Sequence, residues 1–151
     1  MSSSYMNKFA SALLPLIVLA CGSDPNGPGL GGGGAQPPVG SYSAIIFVTT
    51  GTSGVTNQLQ NGSSLSINLA ANSTTSGHLH VAPSGSTPAF DANMAGTWQV
   101  SGDQVSFKQT DDSFMNDLIF TIQPLSASAW SLVADGVVQG TRINLTLAQN
   151  P

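Results

Sequence analysis

The chain has 151 residues, of which only 7% are charged, with three bases, seven acids and a formal net charge of −4. So few Lys and Arg exclude a phosphate-reading surface for nucleic acid, and they provide no basic patch for anionic lipid headgroups. Every acid is Asp and lysine is scarce, which disfavours long helices, whereas the recurring Ser, Thr, Gly and β-branched residues favour short strands and turns.

Residues 1–20 read as a targeting segment. Lys8 supplies one positive charge, and Phe9 to Ala20 is an apolar run of about a dozen residues. That is the size of a signal-peptide core, and it falls short of the roughly 20 residues that cross a bilayer as a helix. The competing reading, a buried N-terminal helix of the mature domain, lacks an amphipathic pattern. Met6 is an alternative start that would bring Lys8 close to the N-terminus.

Val18-Leu19-Ala20-Cys21 resembles the lipobox of bacterial lipoproteins. The resemblance implies cleavage between Ala20 and Cys21, with a diacylglycerol on the Cys21 thiol and frequent acylation, such as by palmitate, of the new amine. It covers about 21 residues, and Val18 and Leu19 are variants that the family tolerates. Gly22 rather than Asp follows the cysteine, which by the enterobacterial sorting rule implies the outer membrane, on its periplasmic or surface face. Cys21 is the only cysteine, so no disulfide competes for it. Removal of the signal leaves two bases against seven acids, a net charge of about −5.

Residues 22–39, GSDPNGPGLGGGGAQPPV, have seven Gly and four Pro in eighteen positions and almost nothing to bury. With Cys21 they form a tether, 21–39. Its coil dimension would be roughly 20–25 Å, and its full stretch about 60 Å. No Gly-Lys-Ser/Thr follows, so this is not a phosphate-binding loop.

Residues 40–151 are predicted to form one β domain. Strands are expected at 41–50, 64–70, 77–82, 94–102, 104–110, 117–123, 129–134 and 141–148. The alternation predicts inward faces of Leu65, Ile67 and Leu69; Gly96, Trp98 and Val100; Val105 and Phe107; Leu118, Phe120 and Ile122; and Ile143, Leu145 and Leu147. Arg142, Asn144 and Thr146 are expected outside. Asn61-Gly62, Ser101-Gly102-Asp103 and Asp135-Gly136 read as turns, and Pro83, Pro88 and Pro124 fall between strands. Eight short strands without a helical period predict an all-β fold, an antiparallel barrel or a sandwich. The barrel is preferred because closure removes edges that only Lys108 could guard.

Gly40-Ser41-Tyr42 and Gly96-Thr97-Trp98, each a glycine two before an aromatic, resemble the Gly-x-Trp of lipocalins. In that family the motif begins the first strand and its tryptophan closes the barrel base. Here the Trp version stands mid-domain. The resemblance implies a lipocalin-like barrel and leaves the ligand open.

His78 and His80 are the sharpest metal candidates, because residues two apart on a strand share a face and two imidazoles there could hold zinc or copper with an Asp from a neighbouring strand. Spacing identifies no third ligand, and two solvent-facing histidines are the simpler expectation. DDSFMND (111–117) gathers Asp111, Asp112 and Asp117, but it lacks the spacing and closing Glu of a calcium loop and reads as a solvated loop. Asp103 and Asp135 read as turn residues. No Gly-x-Ser-x-Gly or Ser-x-x-Lys pattern is present, and an enzyme is not expected. No cofactor is implied either.

Most of Tyr42, Phe47, Phe90, Trp98, Phe107, Phe114, Phe120 and Trp130 are expected in the core, and some would line any pocket. Tyr42, Trp98, Phe107 and Phe120 are the candidate pocket aromatics. The functional expectation is a membrane-anchored envelope lipoprotein whose barrel binds a small apolar ligand. The alternative is a structural or protein-interaction module with a filled core. An interior cavity above roughly 300 Å³ would favour the first.

Overall fold

The computed structural model describes residues 39–85 and 87–151; the signal segment, Cys21 and the tether up to residue 38 lie outside the described residues. The strands are β1 (Gly40–Gly51), β2 (Gly54–Asn57), β3 (Ser64–Leu69), β4 (Thr74–Val81), β5 (Phe90–Asn93), β6 (Gly96–Ser101), β7 (Gln104–Gln109), β8 (Ile119–Pro124), β9 (Trp130–Val138) and β10 (Thr141–Gln149). Among the described residues, one 3-10 turn, Phe114–Asn116, lies between β7 and β8.

β1, β3, β4, β6, β7, β8, β9 and β10 pair in that order, all antiparallel, and β10 pairs back onto β1 to close an eight-stranded barrel. These eight correspond to the eight strands expected from the sequence. β2 and β5 lie off the ring, β2 paired with β1 and β5 with β4. Each has four residues, too few for a period to stand out from the surrounding loop.

The two extra strands open one end of the barrel. Gly40–Ser43 of β1 pair with β3, but Val48–Gly51 pair with β2 instead. Likewise Thr74 and Thr75 of β4 pair with β6, whereas His78–Val81 pair with β5. Both seams therefore part toward the same end, here called the mouth. Val39 and Gly40 lie at the opposite end, with the β3–β4 turn and the chain terminus.

Inward alternation fills the interior. Tyr42, Leu69, Leu79, Val105, Phe120, Leu132, Leu145 and Leu147 are wholly buried and join one core cluster. At about 25 cal/mol per Å² of apolar surface, each such side chain contributes about 1.5–3 kcal/mol. Phe107 and Phe120 meet edge-on, ring centroids 5.2 Å apart at 77°. The β1 run carries apolar residues on both faces because it is bulged between Ala44 and Ile46. The extra residue resets the alternation, so Tyr42 and Phe47 both point inward while Ile45 and Ile46 stay exposed.

Two expectations are corrected. Asp135-Gly136 is not a turn; it lies within β9, opposite Asn144 and Ile143. Asp135 instead takes a bidentate hydrogen bond from Arg142, at 2.8 and 2.6 Å. A Cβ at Gly136 would stand 2.8 Å from Leu118 Cδ2, so a larger residue there would displace that methyl. The reversal comes three residues later at Gln139-Gly140, both with positive φ (49° and 80°), a pairing suited to a two-residue hairpin. Thr146 faces the outer wall as expected, but it is buried there, between Ile46 and Val133 beside the bulge. Pro124 ends β8, opposite Trp130, rather than lying between strands.

Candidate functional site

The mouth holds an open groove of about 430 Å³. Its apolar lining comes from Phe47, Val81, Phe90, Phe114 and Ile143, and its polar rim includes Thr49, Gln58, Ser84, Thr87 and Thr141. A second arm of about 330 Å³ shares Phe90, Phe114, Thr141 and Ile143 with it and is bordered by Asp112, Ser113, Asp117, Val138 and Gln139.

Buried hydrogen bonds fix one wall. Gln58 donates through Nε2 to Thr49 Oγ1 (2.8 Å) and accepts from the Ser63 hydroxyl (3.2 Å), and the same hydroxyl accepts from the Ala82 amide (2.9 Å). The Gln58 amide also donates to the Phe47 carbonyl (2.8 Å). These bonds tie β1, the loop after β2 and the end of β4 into one rigid rim, each worth about 1 kcal/mol.

The β7–β8 connection forms the other wall. Asn116 Oδ1 accepts from the Gln109 amide (2.6 Å), Asp111 Oδ2 accepts from the Asn93 amide (2.8 Å), and the Thr110 hydroxyl donates to the Ala95 carbonyl (2.6 Å). Met115 and Leu118 anchor the segment in the core. Phe114 is thereby held against Phe47, centroids 5.5 Å apart. Ser113 precedes the 3-10 turn without capping it; the residue is 7% exposed and its hydroxyl has no hydrogen-bond partner.

The four pocket aromatics expected from sequence lie elsewhere. Tyr42, Trp98, Phe107 and Phe120 are all buried members of the packed core, and none borders the mouth groove, although Phe107 edges an open pocket of about 480 Å³ beside Lys108 and Asn116, and Trp98 one of about 510 Å³ beside Ser73 and Val100. Burial pushes the Tyr42 hydroxyl up to about 12. Trp98 sits at the end away from the mouth, where its indole N–H donates to the Ala70 carbonyl (3.1 Å). Gly96 permits this packing, since a Cβ there would run into the backbone of Lys108 and Gln109. The mouth aromatics are Phe47, Phe90 and Phe114. Phe90 lies on an unforeseen strand and Phe114 in a loop, so periodicity carries no signal for either.

The histidines lie on the outer wall. Register places Ser64, His80 and Asp91 in one row across β3, β4 and β5, with Ser66, His78 and Asn93 in the next. His80 Nδ1 is 2.8 Å from Asp91 Oδ1, and His78 Nε2 is 3.5 Å from the same oxygen. β5 thus supplies the carboxylate that spacing could not locate, but one oxygen serves both rings. Among the described residues, no group of three or more His, Cys, Asp or Glu side chains is disposed to hold a metal ion. His80 bonds Asp91 but makes no hydrogen bond to Ser64, so the row is not an assembled nucleophile. On the same wall, the Arg142 guanidinium holds the Asp135 carboxyl below the usual carboxylate range.

Family models, curated proteins and solved structures give no match to this chain. Among the described residues, no helix is long and apolar enough to cross a membrane.

Proposed function

We propose that this protein is an envelope lipoprotein, anchored through Cys21, whose barrel binds a small apolar ligand at its open mouth. The observation that carries the reading is the groove bordered by Phe47, Val81, Phe90, Phe114 and Ile143. Its size falls within the range of small-molecule sites, roughly 300–1,000 Å³, and its make-up of apolar walls with a few polar groups is the usual one. The tethering half rests on Val18-Leu19-Ala20-Cys21, which resembles a lipobox, and on the Gly- and Pro-rich segment that follows it.

The packed interior favours a second reading, in which the barrel is a rigid platform and its partner is an envelope protein. One experiment separates the two. N-phenyl-1-naphthylamine fluoresces on entering an apolar site. The ligand-binding reading expects saturable enhancement that Phe114→Ala weakens about tenfold without unfolding the barrel. Enhancement that Phe114→Ala leaves unchanged, or none at all, supports the platform.

A further inference from the structure

We propose that Thr49 donates a hydrogen bond to an acceptor oxygen of the mouth ligand, so that the groove takes an uncharged carbonyl compound with an apolar body. This rests on the mouth being a ligand site and names the class of ligand.

A directional chain of hydrogen bonds sets the donor. It starts at the Ala82 amide, which can only donate and which occupies a lone pair of the Ser63 hydroxyl (2.9 Å). The Ser63 proton goes to Gln58 Oε1 (3.2 Å), which turns Gln58 Nε2 towards Thr49 Oγ1 (2.8 Å). The opposite amide orientation would set –NH2 against the Ser63 hydroxyl and take away the acceptor of its proton. That cost is high here, because Ser63 and Gln58 are both more than nine-tenths buried. Thr49 therefore receives a bond on its oxygen, and its own proton has no acceptor among the described residues. Hydrogen bonds in such a chain polarise one another, which makes the last proton a better donor.

Thr49 itself lines the groove. It stands two residues beyond buried Phe47 on β1 and opposite Ile143 on β10, on the inward face that both of those residues share. A ligand oxygen bonded to Thr49 leaves its apolar body against Phe47, Phe114 and Ile143.

The chemistry of the walls selects an uncharged oxygen. No base lines either arm of the groove. Of the described bases, Arg142 is paired with Asp135, and Lys108 stands across from Thr97 on the β6–β7 ladder. A carboxylate would leave water for a single neutral donor, with Asp112 and Asp117 bordering the adjoining arm. An alkylammonium offers only protons, and the Thr49 oxygen already holds the Gln58 bond. A ketone, ester or aldehyde supplies an acceptor and no donor, which is what the Thr49 proton lacks.

The test is competition for N-phenyl-1-naphthylamine bound to the full chain, with acetophenone, ethylbenzene and benzoate as competitors. Acetophenone and ethylbenzene share a shape and differ in the carbonyl oxygen. The ratio of their displacing concentrations is compared between proteins, which cancels their different hydrophobicities. Thr49→Val is expected to shift the ratio against acetophenone about two- to tenfold and to leave ethylbenzene unchanged, whereas Thr49→Ser keeps the wild-type ratio. Thr49→Ala takes the place of Thr49→Val if the latter does not fold. Benzoate should not displace the probe at concentrations where acetophenone does. An unchanged ratio in Thr49→Val, or an equal loss in Thr49→Ser, overturns the role of the Thr49 hydroxyl and leaves the mouth site standing. Benzoate competing as well as acetophenone overturns the uncharged class in the same way. If neither the probe nor ethylbenzene binds, the mouth site itself falls.

Discussion

Phe120→Ala tests whether the barrel is filled or hollow. Phe120 is wholly buried and meets Phe107 edge-on at 5.2 Å. The substitution removes about 100 Å³ of side chain, so at ~24 cal/mol per Å³ an unrelaxed cavity costs about 2 kcal/mol beyond the lost transfer energy. The total should be about 3–5 kcal/mol, a large part of the 5–15 kcal/mol that holds a typical domain together. For a domain of this size that lowers Tm by roughly 15–30 °C. Thermal unfolding followed by Trp98 and Trp130 fluorescence reads it. Because the new cavity is apolar and dry, benzene should restore part of the lost Tm. A drop of only a few degrees would mean that Phe120 already borders empty space, and would refute the packed interior.

Other predictions follow from single contacts. Gly136→Ala should cost about 1 kcal/mol in urea unfolding, because its Cβ meets Leu118 Cδ2 and buried Leu118 cannot swing clear; a neutral or stabilising result contradicts that packing. Trp98→Phe should cost about 0.5–1.5 kcal/mol by removing the indole donor to the Ala70 carbonyl, which keeps the Ser73 amide, and an unchanged midpoint would mean that the bond contributes nothing. Tyr42 keeps its proton longer folded than unfolded, so its contribution is complete below pH 10 and is lost as pH rises towards about 12. In a Tyr5→Phe chain, which leaves Tyr42 as the only tyrosine, absorbance at alkaline pH should show the phenolate forming near 12; ionisation near 10 argues against burial. For the anchor, Cys21→Ala should abolish labelling by a palmitate analogue and partitioning into the detergent phase, and a variant that still labels and partitions overturns lipidation.

The parts of the structure legible in the sequence are those that repeat every two residues. Leu65, Ile67 and Leu69, or Ile143, Leu145 and Leu147, announce their inward face because one side of each strand meets a core. The fold class and five of the eight barrel strands follow from such runs; 41–50, 77–82 and 129–134 read as strands without a one-sided alternation. Legibility fails where a local rule meets a tertiary demand. Asp135-Gly136 has turn chemistry, but both residues continue β9 in register with β10, and the reversal comes at Gln139-Gly140. The mouth is hidden for a related reason. Its wall comes from a bulged strand, a four-residue strand and a 3-10 turn, brought together by hydrogen bonds between residues far apart in the chain. Trp98, Phe107 and Phe120 stand on inward faces that alternation marks, but alternation does not separate core filler from pocket wall, and it gives no signal for the open groove beside Phe114.

A ligand at the mouth, and not in the barrel interior or on the outer wall, is the central claim. Photo-crosslinking with an aliphatic diazirine, followed by peptide mapping of the labelled protein, tests it most directly. Adducts are predicted at Phe47, Val81, Phe90 and Phe114, competed away by excess unlabelled ligand. Competable adducts at Tyr42 and Phe120, or on the outer wall around His78 and His80, would contradict it.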